Sequence, residues 1–557
     1  MNFVRYASIG AFILSILALF GSLASGEMNR DLLFSADELT PIVVVRDWLA
    51  GTSVFKITLT PGVYLPDHII TLLLMAVSGD NTAFVVYGFA LAMILITTFG
   101  WFLLAKECFG DRDKNALTFS LIAGAIMTLC AVYHPDSHRV MLHIAYHSTA
   151  AAAFPFGLWL ILRALYKPLT WRMLAALFAF PLLLSDRILI AWFIIPAIAT
   201  VIFLSILRRE MLRGGAGIKI CLALGAGSVA LILFVEWADF IVGGEMIEKS
   251  KFGQWLVFAK SFERFKDFLS VWAAIYPVFA AVCVLWIGAA AVAIVKKAGN
   301  EKTRAALLLL LACFFAQLLL AVPSGRFAFL AEFTWHYANM RFFIPAIFVP
   351  VSAGWIFIFG IPRSGKVKAV SAAALCLLIF TLSVPRATGM INARELTQYY
   401  PETVRCFDEN FRRFKLMDGL SSFWFGNYLR ALSTERPMIS HLRMTDKKGG
   451  ERTPGLTVMM QNWQAVGENV YNFVFETATQ MKPKGQDLCM IRQAEGCMKS
   501  GGRKNLEKEH LFGIGELVAG IKSMKPALAV SCGANRLIVL KIPLKLNPVA
   551  DGGIPPH

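Results

Sequence analysis

The chain has 557 residues, of which 57% are hydrophobic and 16% are charged, and its mean hydropathy is +0.60. This composition is far too apolar for an ordinary soluble protein and predicts a polytopic membrane protein. Much of the formal net charge of +17 lies in loops between apolar stretches and reports on membrane topology, supplemented by a basic tail, so it is weak evidence for a nucleic-acid partner.

A transmembrane helix needs about 20 mostly apolar residues, and the chain holds about eleven such stretches. The first of them also resembles a cleavable signal peptide, because small residues follow it. We predict an α-helical membrane domain over residues 1–384 and a soluble domain over residues 385–557. The predicted spans are 6–23, 81–105, 116–133, 144–165, 172–186, 188–207, 218–236, 270–295, 304–322, 342–360 and 368–384.

Lysine and arginine cluster in alternate loops, on the same side as the N-terminus, with Lys106, Arg208 and Lys296 as examples. The positive-inside rule makes that side cytoplasmic. We therefore expect a multi-pass protein of a bacterial inner membrane, with its N-terminus in the cytoplasm and its tail in the periplasm. The predicted outer loops are 24–66, 134–143, 237–269 and 323–341.

The first outer loop carries an acidic pair, Asp37 and Glu38, just after the first apolar stretch. Carboxylates are costly to bury in a membrane, so this boundary is a natural place for chemistry. A carboxylate there can act as a general base. Alternatively, Asp37 caps the helix that follows it. We predict two short helices near the membrane interface in this region, at 39–50 and 67–78.

The second outer loop is rich in histidine and also contains Asp136. The sequence predicts that His143 and His147, four residues apart, share one face of a helix, where they could hold a divalent metal. The alternative is that these histidines satisfy a polar site or face water. No other cofactor is indicated by the sequence.

The segment Ser185-Asp186-Arg187 places a charged pair between two predicted spans. Arginine suits a lipid phosphate, because its planar fork binds two phosphate oxygens at once. The alternative is an ion pair confined to Asp186 and Arg187. The loop at 237–269 is amphipathic and fits either a mobile lid or an interfacial helix.

The tail has the pattern of a mixed α/β domain. We predict a helix at 403–414 and a hairpin of strands at 527–531 and 537–542. Four tail cysteines in an oxidising compartment suggest two disulfides, for which we favour Cys489–Cys497 and Cys406–Cys532 among three pairings; a zinc site is the alternative. The aromatic side chain of Trp424 can stack on a sugar ring or pack in a core.

Several segments, taken in order, resemble the N-terminal region of GT-C fold glycosyltransferases. The sequence is most similar to the aminoarabinose lipid A transferases and protein O-mannosyltransferases within that group, over about the first 210 residues. The segments are Asp37-Glu38, Trp48-Leu49-Ala50-Gly51, Pro61–Tyr64, Ser78-Gly79-Asp80-Asn81, Ala105-Lys106-Glu107-Cys108-Phe109-Gly110 and, later, His336–Pro345.

The resemblance implies an inverting glycosyltransferase that moves a sugar from a polyprenyl-phosphate-linked donor to an envelope glycan, lipid or protein on the periplasmic face. It implies that Asp37, with Glu38 beside it, is the general base and that Asp136 is a second acidic residue. The candidate residues for donor phosphate are Arg187, Arg341, Lys56 and Arg139, and those for sugar or acceptor are Tyr64, His336, Tyr337 and Trp424.

Two other functional classes fit a protein with many spans and a basic surface. One is a transporter or flippase of a lipid-linked saccharide, and the other is a non-catalytic envelope assembly protein. Transporters tend to show internal repeats and ionisable residues at mid-membrane depth. We see no convincing repeat, and the acidic residues lie at the predicted outer boundary, so the sequence favours the enzyme.

Overall fold

A computed structural model describes residues 2–28, 30–34, 36–51, 65–109, 113–133, 142–144, 147–207, 215–241, 262–263, 265–266, 270, 273, 277–321, 365–421, 423–446, 452–456, 470–477, 528–532 and 535–545. The described part of the chain is mostly helical, with a small sheet near its C-terminal end.

The helices run in chain order from the first apolar stretch into the tail. They are α1 (Asn2–Ala24), α2 (Ala36–Leu49), α3 (Leu65–Ser78), α4 (Thr82–Phe109), α5 (Asp113–Tyr133), α6 (Ser148–Tyr166), α7 (Trp171–Leu184), α8 (Ile195–Leu207), α9 (Ala216–Ile241), α10 (Pro277–Val295), α11 (Glu301–Ala321), α12 (Gly365–Ala387), α13 (Arg394–Thr397), α14 (Glu402–Arg413) and α15 (Phe423–Leu432). The strands are β1 (Asp418–Ser421), β2 (Met438–Asp446), β3 (Arg452–Leu456), β4 (Val470–Thr477), β5 (Leu528–Cys532) and β6 (Asn535–Lys545).

Seven helical segments in the described residues are long and apolar enough to cross a membrane. Each overlaps a predicted span, so the prediction of a helical multi-pass architecture is confirmed at this level. Two further helices, α10 and α11, cover most of the predicted spans 270–295 and 304–322. The seven segments are Phe3–Ala24, Thr82–Phe109, Asn115–Tyr133, Ser148–Tyr166, Ile190–Leu207, Ala216–Trp237 and Gly365–Asn392.

Three predicted spans differ from the structure or lie beyond it. The predicted span 172–186 corresponds to α7, whose 14 residues reach about 21 Å, short of a hydrocarbon core of about 30 Å. The span predicted to begin at residue 144 begins at Ser148 instead. The predicted span 342–360 falls outside the described residues.

The chain divides into two compact units. The first comprises Met1–Leu33, Pro61–Phe240 and Glu245–Gln398, and the second comprises Phe34–Thr60, Ile241–Gly244 and Tyr399–His557. Most of the segment predicted as the first outer loop, including α2, thus belongs to the same unit as the tail.

Left-handed residues end α3 of the first unit, and asparagine side chains cap the starts of α4 and α11. Gly79 (φ +61°) and Asp80 (φ +74°) take left-handed conformations that close α3, and the amide of Phe84 donates to Asn81 Oδ1 at 3.0 Å to cap α4. Asn300 Oδ1 accepts from the amide of Thr303 at 2.8 Å and caps α11 in the same way. These caps explain why long apolar runs separate into distinct helices.

The second unit is built on a mixed sheet with the strand order β3-β2-β1-β4-β6-β5. The central strand β1 is parallel to both β2 and β4, and α15 makes the crossover from β1 to β2. Strands β5 and β6 pair antiparallel with Cys532 opposite Asn535, as the predicted hairpin requires. The predicted helix at 403–414 is α14, so the mixed α/β character of the tail is confirmed.

A buried carboxylate, Asp408 on α14, organises this unit around the end of α15. It accepts hydrogen bonds from Tyr400 Oη at 2.6 Å, from the amide of Thr434 at 2.8 Å and from Ser433 Oγ. Burial, together with the hydrogen bond to Asp408, raises the pKa of Tyr400 to about 12. A carboxylate with this many donors anchors the segment that follows α15.

Candidate functional site

The acidic pair lies in the first turn of α2. The helix begins at Ala36, so Asp37 lies inside the helix and not at the capping position before it. Acidic residues in a first turn interact favourably with the helix dipole. Glu38 is 2% exposed. Pro41 has no N–H to donate to the carbonyl of Asp37, so the usual helical hydrogen bond is lost at this position.

Within the second unit, α2 is held against α15 by charged hydrogen bonds at its C-terminal end. Arg430 Nη2 donates to both carboxylate oxygens of Asp47, each at 2.9 Å. Arg46 Nη1 donates to the carbonyls of Arg430 at 3.0 Å and Ala431 at 2.8 Å, near the end of α15. A cation at a helix C-terminus is favoured by the helix dipole, so Arg46 both caps and neutralises that end.

A second polar site lies in the first unit, where α7 ends. Ser185 adopts a left-handed conformation (φ +47°) that ends α7, and Asp186 follows it. Asp186 Oδ1 accepts from the amide of Ile188 at 3.1 Å, and Asp186 Oδ2 lies 2.7 Å from His147 Nδ1. Both side chains are largely buried, at 3% exposed for Asp186 and 13% for His147.

The local backbone around this pair is irregular on both sides. His147 is itself left-handed (φ +64°) and precedes α6. A π-helix spans Ile190–Ile194, and the ring of Trp192 within it lies edge-on to His147 with centroids 5.6 Å apart. Such π-helical turns occur frequently at functional sites.

The start of α3 contacts Ser185, the residue before Asp186. The amide of Leu65 donates to Ser185 Oγ at 2.7 Å. Asp67, His68 and Thr71 are buried on α3. The sequence analysis did not select Asp67 and His68, although two adjacent ionisable residues at the start of an otherwise apolar helix were a usable signal.

The His147–Asp186 pair has a definite chemical capacity. A carboxylate that accepts from Nδ1–H fixes the ring orientation and the tautomer, which makes Nε2 the acceptor nitrogen of the neutral imidazole. The pair can therefore hold the His147 ring in one orientation suited to proton transfer.

The charged pairing predicted within Ser185-Asp186-Arg187 is different in the structure. Asp186 pairs with His147, and Arg187 Nη2 lies 3.1 Å from Glu236 Oε1 on α9. The Arg187 and Glu236 side chains are 36% and 51% exposed. Arg187 thus follows the buried Asp186 in the chain, and its side chain is partly exposed.

The geometric premise of the predicted histidine metal site is wrong. Because α6 begins at Ser148, His143 and His147 do not share a helical face; His143 lies on a bend, where its carbonyl accepts from Ser148 Oγ. Among the residues that the structure describes, no group of three or more His, Cys, Asp or Glu side chains is arranged to hold a metal ion.

A third polar cluster, which the sequence analysis did not predict, joins three helix ends in the first unit. Glu107 on α4 is buried and lies 2.5 Å from Lys302 Nζ on α11 and 3.7 Å from Arg163 Nη1 on α6. Asn300 Nδ2 donates to the carbonyl of Cys108 at 2.7 Å. Two cations on one carboxylate bind the ends of these helices together.

Of the disulfides predicted in the tail, Cys406–Cys532 is confirmed, with Cα atoms 5.5 Å apart. Trp424 lies on α15. The remaining predicted residues fall outside the described part of the chain, and their roles stay predictions. They are Asp136, Arg341, Lys56, Arg139, Tyr64, His336, Tyr337, Cys489 and Cys497.

The sequence matches no protein-family model, and no curated protein is significantly similar to it. Proposals about function therefore depend on the residues and geometry of this chain, together with the resemblance to GT-C enzymes.

Proposed function

We propose that the chain is a GT-C-type membrane glycosyltransferase that transfers a sugar from a polyprenyl-phosphate-linked donor to a cell-envelope acceptor. In this proposal the fold has about eleven membrane spans, the N-terminus is cytoplasmic, the tail domain is periplasmic, and the reaction inverts the anomeric centre. Asp37 is the general base, because an acceptor hydroxyl needs a nearby carboxylate to take its proton.

The order of elements at the N-terminal end is the observation that carries the proposal. A long apolar helix, α1, is followed by α2 with the acidic pair in its first turn, by the short helix α3 and by the long apolar helix α4. The resemblance to GT-C enzymes implies this succession, with an acidic residue of the first loop as the base. A simple connector between two spans needs no helices, whereas this one contains two, α2 and α3.

The His147–Asp186 pair supplies a second argument. A leaving lipid phosphate is anionic and needs donors or cations near a membrane boundary. Arg187, partly exposed and next to Asp186 in the chain, provides one in the described part of the chain. Arg341, Lys56 and Arg139 are further candidates from the sequence.

The direct test is sugar transfer in membranes that carry wild-type protein or Asp37→Asn. Asparagine keeps the shape of the side chain but cannot act as a base, so we expect transfer to fall at least ~100-fold. Glu402→Gln is the matched control, because Glu402 is also a first-turn carboxylate, on α14 of the same unit. Unchanged transfer in Asp37→Asn with normal expression would remove Asp37 as the base.

A transporter or flippase of a lipid-linked saccharide is the second candidate, favoured by one observation. Asp186, the buried partner of His147, lies at a break between two apolar helices, α7 and α8, and interrupted helices with ionisable residues are typical of transporters. Proteoliposomes separate the two functions. Movement of a labelled lipid-linked saccharide between leaflets without transfer to any acceptor would favour the transporter, and neither activity would favour a non-catalytic assembly protein.

A further inference from the structure

The helix that carries the acidic pair is itself a component of the tail domain. Besides the Arg46 hydrogen bonds to the end of α15, two contacts between side chains join α2 to α15 in the second unit. One is near the start of α2, where Asn427 Nδ2 donates to Thr40 Oγ1 at 3.0 Å, and the other is the Asp47–Arg430 pair. Thr40 and Asp47 are two helical turns apart on α2, whereas Asn427 and Arg430 are one turn apart on α15.

The apolar residues of α2 do not specify its rotation about its own axis. Successive residues of a helix point in directions about 100° apart, so four consecutive buried positions cover most of its circumference. Four consecutive residues of α2 are each at most 2% exposed: Ile42, Val43, Val44 and Val45. Apolar burial of this kind is non-directional and tolerates a rotated helix.

Directional contacts supply what apolar burial lacks. A two-pronged guanidinium–carboxylate pair constrains both distance and orientation. The Arg430 side chain is 7% exposed and Asn427 is fully buried, so neither contact can be replaced by water at low cost. Together they fix both the rotation of α2 and its position along its axis.

We propose that Arg430 and Asn427 are positioning residues that set the place of Asp37, and that the tail domain thereby forms part of the catalytic apparatus. This inference rests on the proposed function. Asp37 is three residues, less than one helical turn, before Thr40 in the same continuous helix, so a rotation or shift of α2 moves the Asp37 backbone with it. A tail that served only as a tethered acceptor-binding module would leave the turnover number insensitive to the α2–α15 contacts.

The test is made on the full chain with Arg430→Lys. Lysine keeps the positive charge but loses the planar fork, so α2 is retained with a looser orientation. We expect kcat to fall ~10–100-fold, because a displacement of about 1 Å at a reacting group has that effect, while the KM for the lipid-linked donor changes by less than ~2-fold. The matched control is Arg405→Lys, an exposed arginine on α14, for which we expect neither constant to change.

Rescue by a cross-link distinguishes positioning from general destabilisation. Thr40→Cys with Asn427→Cys places two thiols on the helix faces that the 3.0 Å contact joins, and bridging them with a short bifunctional thiol reagent, which spans the atom that cysteine lacks relative to asparagine, should restore most of the kcat that Arg430→Lys loses. An unchanged kcat in Arg430→Lys, or a cross-linked triple variant as slow as Arg430→Lys alone, would overturn the proposal.

Amide hydrogen exchange in α2 separates this inference from the proposed reaction. We expect exchange in Ile42–Val45 to be at least ~10-fold faster in Arg430→Lys than in the wild type, because the Asp47–Arg430 pair limits local opening of α2. If the wild type transfers no sugar and exchange accelerates, the role of Arg430 in holding α2 remains and the proposed reaction is wrong. If transfer occurs and exchange does not change, the reaction remains and the positioning role is wrong.

Discussion

At the scale of single residues, the His147–Asp186 pair and the Arg187–Glu236 pair form a natural comparison. Both join side chains of the first unit, and they involve neighbouring residues at the end of α7. The first pair is buried and its carboxylate also accepts a backbone amide, whereas the second is about half-exposed. Burial raises the cost of losing a partner, because the remaining polar group cannot turn to water.

We expect Asp186→Asn to lower the free energy of unfolding by about 1–3 kcal/mol, since the amide keeps the shape but loses the charge and one acceptor. Glu236→Gln is the matched control and should cost less than about 1 kcal/mol, because exposed ion pairs contribute little. Thermal melting of the purified protein in detergent measures both. Equal decreases in the free energy of unfolding would show that the buried His147–Asp186 pair stabilises the fold no more than the exposed Arg187–Glu236 pair.

At the scale of secondary-structure elements, α1 and the end of α12 approach each other closely at two glycines, Gly21 on α1 and Gly389 just after α12. A Cβ added at Gly21 on α1 would collide with the backbone carbonyl of Arg386 on α12, and one added at Gly389 would collide with the carbonyl of Gly21. Backbone cannot rotate away as a side chain does. The two elements must therefore separate if either glycine acquires a side chain.

Gly21→Ala should destabilise the first unit by about 1–3 kcal/mol through this overpacking. Gly225→Ala is the control: Gly225 also lies inside a helix, α9, and the added Cβ meets no atom of the described residues within 4 Å. There alanine should be neutral or stabilise by about 0.5–1 kcal/mol through helix propensity. The melting temperatures should therefore move in opposite directions or differ clearly. A Gly21→Ala protein as stable as wild type would contradict the observed helix separation.

The elements that the sequence predicted well are those whose signals are local. Apolar length alone locates α1, α4 and α12, and alternation with a turn signal locates the β5–β6 hairpin. The start of α6 was misplaced because His147 adopts a left-handed conformation that no local pattern requires. The partners of α2 were also not predicted, since Asp47 and Arg430 are 383 residues apart and a single sequence carries no signal for such a pairing.

At the scale of the whole chain, two observations bear on membrane orientation. The Glu107 cluster and His147 lie at opposite ends of α6, whose 19 residues extend about 28 Å, close to the thickness of a hydrocarbon core. Basic loops accompany the Glu107 end, which the positive-inside rule assigns to the cytoplasm. A disulfide such as Cys406–Cys532 persists in an oxidising compartment. The basic loops and the disulfide therefore support separate parts of the proposed topology, a cytoplasmic side for the basic loops and a periplasmic location for the tail.

This orientation predicts the labelling of two introduced cysteines. Lys296 and Met417 are both exposed, and the predicted spans 304–322, 342–360 and 368–384 lie between them. Three crossings place the two residues on opposite sides, with Met417 in the periplasm. In intact spheroplasts, a membrane-impermeant maleimide should label Met417→Cys and not Lys296→Cys, and permeabilisation should expose both. The wild-type chain measures the background from its own thiols.

The same experiment tests the number of membrane crossings between the two cysteines, a number that includes the predicted span 342–360 outside the described part of the chain. Label on both cysteines in intact spheroplasts, or on neither, requires an even number of crossings between them and would remove one of the three predicted spans. Label on Lys296→Cys alone would invert the orientation, placing the disulfide-bearing tail in a reducing compartment, where Cys406–Cys532 would not persist. Only the expected pattern agrees with both the basic loops and the disulfide, because the two signals come from different physical causes.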